Sequence, residues 1–518
     1  MTLFLCDSQR SRYAYFVVSR AVPAAIKNNM KNTGLKIAVI FSLASLVVGC
    51  ASHKPVTANS PEHDTLIQED KAFLDKREHE NLPTTLTLEN AIERALEKNL
   101  DAYVASLETV IASNDVTLQK LAALPTVTAS GTFIERSDEA ASSSESIITR
   151  TQSLEPSTST EQERRLASLE VQWNLLDSVI AYLDKEVAGN NEIVAKERLR
   201  KIRHNIERDV TAAYWKTYAH ETLKGQLCFL QADIYQMINN VELAENEKVL
   251  PIGESTTKLS ELASKNSSLS DLYEETKLAE LELKSLISYP INTPLYISEE
   301  QTDLGLQRMD LLNTDMDTLV DTALRERPEL RESLADQNTA SSNVRKEILS
   351  TFPGFDIIYG FHYDSNAFLA EQNWRDFNAS LTQSITGLLT LPKRLENIKN
   401  KQKLAEAQRL ALTAAIVAQV YVANLRTRMA WDTYSSANTL YRSASRRLEL
   451  TSQKEQEGVA SGYEKIVADT EFHIYKTQKD LAYAELQKSY ADLIGSLGHS
   501  LFAQNDVENT KQEGGANA

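Results

Sequence analysis

Cysteine, glycine and proline are all scarce in this chain of 518 residues. Two of the three cysteines, Cys6 and Cys50, lie at or before the end of an N-terminal targeting segment, which leaves Cys228 without a partner in the rest of the chain. A disulfide framework is therefore excluded, and we expect Cys228 to be a small buried hydrophobic residue. The 16 glycines and 12 prolines are few for this length, which favours long uninterrupted helices.

Positive charge and recognisable catalytic groupings are lacking as well. Lysine and arginine (55 residues) are outnumbered by aspartate and glutamate (72 residues), so the net charge is −17. Such a chain repels nucleic acid, and no basic stripe reverses the effect. The eight histidines are scattered without metal-ligand spacing, and the sequence contains neither a phosphate-binding glycine loop nor a nucleophile motif. We therefore expect neither an enzyme nor a bound cofactor or metal.

The N-terminal region lacks a hydrophobic run long enough to span a bilayer. Its apolar run, residues 37–48, has instead the length of a signal-peptide core. The run leads into Gly49 and Cys50, a sequence that resembles a bacterial lipobox and predicts lipid attachment at Cys50; an ordinary signal peptide with a chance cysteine is the alternative. Ala51 stands where inner-membrane lipoproteins carry aspartate, so the resemblance implies the outer membrane.

These features divide the N-terminal region into two segments. Residues 1–49 are predicted to be a signal peptide, and residues 1–29 an extension upstream of the true start, because Met30 stands where such a signal begins. Residues 50–84 are polar and are predicted to form a lipidated tether with a short helix near residues 66–76.

The remainder of the chain is duplicated. Residues 95–125 recur at residues 323–353 with a constant offset and without a gap. After each copy come two segments of alternating polarity and then a very long helical pattern. We therefore predict two helix–hairpin–helix repeats, at residues 85–300 and 301–499, followed by a polar tail at residues 500–518. The identical pairs are Ala95/Ala323, Leu96/Leu324, Ala112/Ala340, Ser113/Ser341, Val116/Val344, Leu121/Leu349 and Pro125/Pro353.

The alternating segments have the length of tilted strands that cross a bilayer, and each has one apolar and one polar face. This pattern predicts the wall of a water-filled barrel, with hairpins of a soluble sheet as the alternative. Four strands cannot close a barrel, whereas three copies of the chain supply twelve. The connection at residues 135–164 is rich in Ser, Thr and Glu and is predicted to be a mobile surface loop. The strands are predicted at about residues 126–134, 166–175, 354–363 and 374–386.

The long helical patterns follow the strands. Residues 178–249 and 393–457 predict helices of about 105 Å and about 95 Å, and residues 255–288 and 463–497 predict helices that return along them. Charged side chains pervade both long helices, so we expect neither to span a membrane. The most apolar window, residues 411–425, has the single stripe of a helix that packs on other helices.

Taken together, these features resemble the TolC-like outer membrane efflux protein family over about residues 86–498. The order, spacing and duplication of the motifs carry the resemblance, since no single motif is specific. The matching segments are 88–96 (LENAIERAL), 124–125 (LP), 173–177 (WNLLD), 327–330 (RPEL), 352–353 (FP) and 458–468 (GVASGYEKIVA).

The resemblance implies a mainly α fold with a membrane β-barrel: a homotrimer with one shared 12-stranded barrel and a helical barrel that extends into the periplasm. It implies an exit duct of a tripartite efflux or type I secretion system in the outer membrane of a Gram-negative bacterium. The partners would be a periplasmic adaptor, an inner-membrane transporter and outer-membrane lipid. The alternative is a lipid-anchored periplasmic coiled-coil scaffold without channel activity.

The resemblance also implies that the adaptor docks at the turns between the paired helices. These turns lie around Gly253 in the first repeat and around Gly458, Val459 and Ala460 in the second. The first turn contains Pro251 and departs from the small, apolar family pattern.

A second implied site is an acidic gate at the periplasmic end. Glu464 occupies one acidic family position, whereas Val467 occupies the other, Ala460 replaces an arginine and Glu455 replaces a tyrosine. A gate in this chain would therefore be held by different side-chain contacts. Three Glu464 carboxylates in a constriction would favour cations, and a solvated charge on a helix surface is the alternative.

Overall fold

The computed structural model describes residues 58, 60–80, 82–83, 85–153, 155–298 and 309–501. The predicted signal peptide, Cys50 and nearly all of the polar tail lie outside these residues. The chain forms two units that divide between Lys76 and Arg77. Helix α1 (Pro61–His79) is longer than the short helix predicted at residues 66–76.

The duplication is evident in the lengths of the helices and strands. The long helices both contain 72 residues, and the returning helices both contain 35. The first repeat contains α2 (Leu88–Lys98), α3 (Leu100–Ala122), β1 (Thr126–Glu135), β2 (Ala141–Ser142), β3 (Ser157–Thr158), β4 (Glu163–Asn174), α4 (Leu175–Asn246) and α5 (Ile252–Leu286). The second contains α6 (Met316–Glu326), α7 (Pro328–Leu349), β5 (Gly354–Asp364), β6 (Asn373–Thr382), α8 (Ile385–Gln456) and α9 (Gly462–Ser496).

The offset between the repeats changes inside the hairpins. Equivalent helices before the strands begin at Leu88 and Met316, which are separated by the same offset as the identical pairs in the sequence. Equivalent helices after the strands begin at Leu175 and Ile385, which are closer together along the chain, because the connection within the first hairpin is longer. This shift explains why a single offset aligns only part of the two repeats.

The four long strands form one antiparallel sheet in the order β1-β4-β5-β6. The predicted alternation is in register across it, since Val127 pairs with Val171, Val171 with Tyr359, and Tyr359 with Phe377. The paired residues on either side of this set point to the opposite face of the sheet, which is polar. The sheet is open, because β1 and β6 each lack a partner on their outer side among the described residues.

One predicted strand and the helix after it need correction. The strand expected to reach residue 386 ends at Thr382, and α8 begins at Ile385 rather than at residue 393. The side chain of Ser384 accepts a hydrogen bond from the N–H of Gly387 and so caps the helix ahead of Pro392, which lies inside it.

The long connection in the first hairpin is partly ordered. Strands β2 and β3 pair within it, and its base is attached to the short connection of the second hairpin. Buried Asn366 donates a hydrogen bond to the carbonyl of Ser159 at 2.9 Å and accepts one from the N–H of Glu161 at 3.2 Å. The short connection of the second repeat therefore supports the long connection of the first.

The helices form a wall that continues the sheet. Helix α3 packs on α4, α4 on α7, and α7 on α8. This order matches the strand order because each strand leads into or out of the helix at the same place. Helices α4 and α8 are each about 108 Å long, and α5 and α9 return along them for about 52 Å. The largest buried cluster, around Tyr214 and Trp215, joins α2, α4 and the end of α5.

One expectation about exposure is not met. Cys228 is exposed rather than buried, because α4 packs through the stripe that contains Leu223, Leu230 and Ile234, and Cys228 points away from it. Helix α8 also contains an 18-residue stretch that is apolar enough to cross a membrane, of which 28% is buried. This property rests on length and composition alone, so the expectation that α8 does not span a membrane stays a prediction.

A buried charged cluster joins α4 to α5. The ring of His220 is fully buried, with Nδ1 3.1 Å from the Thr276 hydroxyl and Nε2 3.5 Å from the Glu280 carboxylate. Burial lowers the pKa of His220 to about 4, although Glu280 opposes part of the shift. Burial would raise the pKa of Glu280, but its ion pairs with Lys277 and Lys284 outweigh burial and lower that pKa to about 2.

We expect this cluster to make stability depend on pH. Between its ordinary pKa of 6.5 and its folded pKa of about 4, His220 takes up a proton only in the unfolded chain. Its contribution to stability is therefore lost as the pH falls through this window, by about 2 kcal/mol at pH 5. Thermal unfolding of the wild type and of His220→Gln at pH 7 and pH 5 should show a smaller acid-induced loss in the variant. Equal losses would contradict a buried neutral histidine.

Candidate functional site

The sheet presents a continuous apolar face to its surroundings. The odd-numbered residues of all four strands lie on this face, and its large side chains are exposed although they are hydrophobic. An exposed apolar surface of this kind marks contact with lipid or protein. Its exposed members are Val127, Phe133, Leu169, Trp173, Phe355, Tyr359, Phe361, Tyr363, Phe377 and Leu381.

The opposite face of the sheet is polar. On it, Nε2 of His362 lies 3.0 Å from the carboxylate of Asp376, diagonally across β5 and β6, and the His362 ring stacks on Trp374. The pair passes over Gly360, where an added Cβ would lie 2.3 Å from the histidine and 2.5 Å from the aspartate. A side chain at residue 360 would therefore require His362 and Asp376 to shift.

The two open edges of the sheet continue into helices with exposed apolar stripes. Helix α3 leads into edge strand β1, and edge strand β6 leads into α8. Both helices pack through one side only and leave the other uncovered. The exposed apolar residues are Leu100, Tyr103, Val104, Leu107, Val110, Ile111, Leu118 and Leu121 on α3, and Leu388, Leu389, Leu404, Leu410, Tyr421, Val422, Leu425 and Met429 on α8.

The two turns at the far end of the long helices have the same backbone structure. The N–H groups of Val249 and Leu250 both donate to the carbonyl of Ala244, and those of Val459 and Ala460 both donate to the carbonyl of Lys454. Each turn has one residue in the left-handed region, Lys248 at φ 58° and Gly458 at φ 72°. A glycine suits this conformation, whereas the lysine adopts it at a cost.

This equivalence corrects the sequence alignment of the turns. Gly253 lies inside the first turn of α5 and is equivalent to Tyr463, since both follow their left-handed residue by five positions. The residues equivalent to Gly458, Val459 and Ala460 are Lys248, Val249 and Leu250. The sequence signal for them was the smaller offset that relates the two repeats after the strands.

Both turns expose aliphatic side chains. Val249 is 74% exposed, Ile252 is 70% exposed and Val459 is 73% exposed, although each is hydrophobic. Ala460 and Leu250 are half-buried beside them. Each chain therefore carries two similar apolar tips, despite their different sequences.

Glu464 is part of a helix cap. Its carboxylate accepts a hydrogen bond from the N–H of Ser461 at 2.8 Å, and the Ser461 hydroxyl accepts one from the N–H of Glu464, so the two residues form a capping box. The hydrogen bonds from Ser461 lower the pKa of Glu464. Val467, at the other acidic family position, is buried, and Glu455 forms an ion pair with Lys465 at 3.0 Å.

Two polar links tie the helical hairpins of the chain together near the turns. The hydroxyl of Tyr463 on α9 donates to the carboxylate of Glu261 on α5 at 2.5 Å; burial, together with this carboxylate, raises the tyrosine pKa. Glu471 on α9 accepts from Lys265 on α5 at 2.7 Å and from Arg447 on α8 at 2.6 Å. The sequence analysis missed these contacts because the partners of α9 lie on other helices.

Within the part of the chain that the structure describes, no group of three His, Cys, Asp or Glu side chains could hold a metal ion.

Comparisons with known proteins identify the fold. No protein-family model and no curated protein matches the sequence. Among solved structures, the fold is similar to that of the outer membrane channel CmeC of Campylobacter jejuni (TM-score 0.60, 13% identity, covering 82% of this chain and 89% of that chain). It is also similar to the outer membrane channel MtrE of Neisseria gonorrhoeae (0.57, 16%, 80% and 89%) and the outer membrane protein VceC of Vibrio cholerae (0.56, 14%, 80% and 96%). The resemblance predicted from the sequence is thus confirmed at the level of the fold.

Proposed function

We propose that this chain is one subunit of a homotrimeric outer-membrane channel, which conducts substrates passively out of the periplasm. The observation that carries the proposal is that sheet and helical wall stop at the same two edges, β1 with α3 and β6 with α8. Unpaired strand edges cannot face lipid, because their backbone N–H and C=O groups would lack hydrogen-bond partners there. A neighbouring copy can pair with the open strand edge and cover the exposed helix at the same time.

The β1 edge differs from the β6 edge, so an interface between them is head-to-tail. A head-to-tail contact generates a closed ring when the rotation between copies closes. Four strands per chain are too few for a barrel, and three chains give twelve. The apolar face of the sheet would then face lipid, and the polar face with His362 and Asp376 would line the pore.

The same ring explains the apolar surface of α8. In the proposed trimer, the stripe on α8 packs against the stripe on α3 of the neighbouring copy, so its apolar stretch meets protein rather than lipid. Helices α4 and α8 then form a tunnel wall that extends from the barrel into the periplasm. Lipid attachment at Cys50 would add an anchor in the outer membrane.

The exposed tips at Val249, Ile252 and Val459 are suited to a protein partner. We assign this docking surface to a periplasmic adaptor, which would connect the channel to an inner-membrane transporter in a tripartite efflux or type I secretion system. The adaptor would meet two apolar tips per chain that differ in charge, because Lys248 is charged where Gly458 has no side chain. The transporter supplies the energy, and the channel itself is not an enzyme.

Reconstitution of the full-length protein in planar bilayers tests this function. We expect discrete conductance steps, together with retention of the protein in membranes after a carbonate wash. Complete release by carbonate and absence of conductance would favour the alternative, a lipid-anchored periplasmic scaffold.

Glu464 is proposed to contribute negative charge at the periplasmic mouth. Because glutamine can also complete a capping box, Glu464→Gln removes the charge and keeps the helix cap. We expect the variant to weaken block by divalent cations in bilayer recordings, since three carboxylates attract cations at a constriction. Ser461→Ala, which weakens the cap but keeps the charge, should leave the block in place. Unchanged block in Glu464→Gln would remove this residue from the gate.

A further inference from the structure

Two arginines lie on the apolar face of the sheet. Arg165 on β4 pairs directly with Phe133, and Arg375 on β6 pairs directly with Phe361. Strand alternation places both arginines on the side of the sheet that carries Leu169 and Phe377. A guanidinium on such a face is unexpected, because it cannot lose its charge and is costly to place in lipid.

Neither guanidinium has an ion-pair partner in the described part of the chain. Both side chains are exposed, and that of Arg375 lies over the Phe361 ring at 5.3 Å. Arg164 provides the contrast. It precedes Arg165 by one residue, lies on the polar face, and forms an ion pair with Asp364 at 3.3 Å.

Each arginine is the third residue of its strand, near the strand end that lies away from the helices. From each arginine towards the helices, the face is apolar: Leu169, Val171 and Trp173 follow Arg165, and Phe377 and Leu381 follow Arg375. In the other direction, beyond Arg165, the exposed pair Glu135 and Glu163 lies on the same face. Arg165 therefore lies between an apolar band and a charged rim, whereas Arg375 shares the row of Phe361 and Leu169, two rows nearer the helices.

We propose that Arg165 and Arg375 bind the phosphate groups of anionic lipid headgroups at the outer rim of the barrel. This inference rests on the proposed function, since it requires the apolar face to lie in a membrane. A guanidinium binds phosphate through charge-assisted and often bidentate hydrogen bonds, and these are strongest where water is partly excluded.

The position favours a lipid over free phosphate. A headgroup bound at Arg165 or Arg375 can lay its acyl chains over Leu169, Phe361 and Phe377, whereas a free anion would gain nothing from these side chains. The trimer would carry three copies of each arginine around its circumference.

Native mass spectrometry of the full-length protein in detergent tests the proposal. The probes are lipid A that carries its two phosphates, the same lipid after removal of the phosphates, and inorganic phosphate. We expect the wild type to bind the phosphorylated lipid about tenfold more tightly than the dephosphorylated lipid. The double variant Arg165→Gln, Arg375→Gln should lose this preference, and the matched control Arg164→Gln, on the pore face, should keep it.

Three results would overturn the proposal in distinguishable ways. An undiminished preference in the double variant would show that other groups bind the phosphate. Displacement of the lipid by equimolar inorganic phosphate would show a free-anion site in place of a lipid site. A wild-type protein that is monomeric and water-soluble before any lipid is added would refute the channel itself, and the lipid site with it.

Discussion

The double substitution Ile111→Glu, Leu118→Glu should abolish assembly of the chain into trimers. Both side chains are 59% exposed and lie on the α3 stripe, where the neighbouring α8 would cover them. Each substitution removes roughly 1.5–3 kcal/mol of apolar burial per interface and places an unpaired carboxylate there. A ring repeats this loss at three interfaces, so the expected result is loss of assembly rather than partial weakening. Size-exclusion chromatography with light scattering in detergent measures the outcome.

The matched control keeps the two positions apolar. Ile111→Val, Leu118→Met changes shape slightly without adding charge, and we expect it to remain trimeric. Persistence of the trimer in the glutamate variant would mean that α3 does not form the interface.

The second large effect is expected at the turn end, where removal of the links around α9 should widen the channel. Tyr463→Phe removes the hydrogen bond to Glu261, and Glu471→Gln weakens the ion pairs with Lys265 and Arg447. The contacts with Glu261 and Lys265 join α9 to α5 of the other hairpin, and the contact with Arg447 holds α9 on α8. Their loss therefore lets the two helical hairpins separate. We expect single-channel conductance to rise several-fold, because conduction through a constriction depends on its radius and lining.

A control with the same chemical changes is available nearby. Glu449→Gln, Tyr475→Phe alters a glutamate on α8 and a tyrosine on α9 whose side chains form no hydrogen bond or ion pair within the described chain. Its conductance should equal that of the wild type. Equal increases in both double variants, or an increase in neither, would show that the contacts of Tyr463 and Glu471 do not limit conductance.

The periodicity of polar and apolar residues was sufficient to predict the strands, whose two faces lie in different environments. The strands alternate because one face is apolar and the other polar, and the register of Val127, Val171, Tyr359 and Phe377 confirms that pattern across all four strands. The long helices followed from the scarcity of glycine and proline. The predicted start of α8, just after Pro392, is too late. The helix begins earlier because the side chain of Ser384 caps it and the helix accommodates the proline.

Local sequence could not resolve features that depend on neighbouring helices. Cys228 was expected inside because cysteine is often buried, yet α4 packs through another stripe. The family resemblance places the first turn around Gly253, whereas the left-handed position in that turn is Lys248. The bond from the Ser461 N–H to Glu464 is by contrast local, and the Ser-x-x-Glu spacing of a capping box is a signal for it in the sequence. The partners of Glu471 are 206 and 24 residues away along the chain, so no local pattern contains them.

The central claim, a ring closed between β1 of one chain and β6 of the next, can be tested by cross-linking. Ser130→Cys on β1 and Ser380→Cys on β6 both place a thiol on the polar face, in a chain that also carries Cys228→Ser. Within one chain these edges are three strand spacings, about 14 Å, apart, and the two positions are also offset by six residues, about 20 Å, along the strands. A bismaleimide of about 8 Å reach is therefore too short to join them within one chain, but it can bridge adjacent edges of a ring whose stagger brings the two positions level. The account predicts covalent dimers and trimers on denaturing gels, with no larger species and none from either single cysteine variant. Monomers alone, or a ladder that continues beyond three chains, would contradict it.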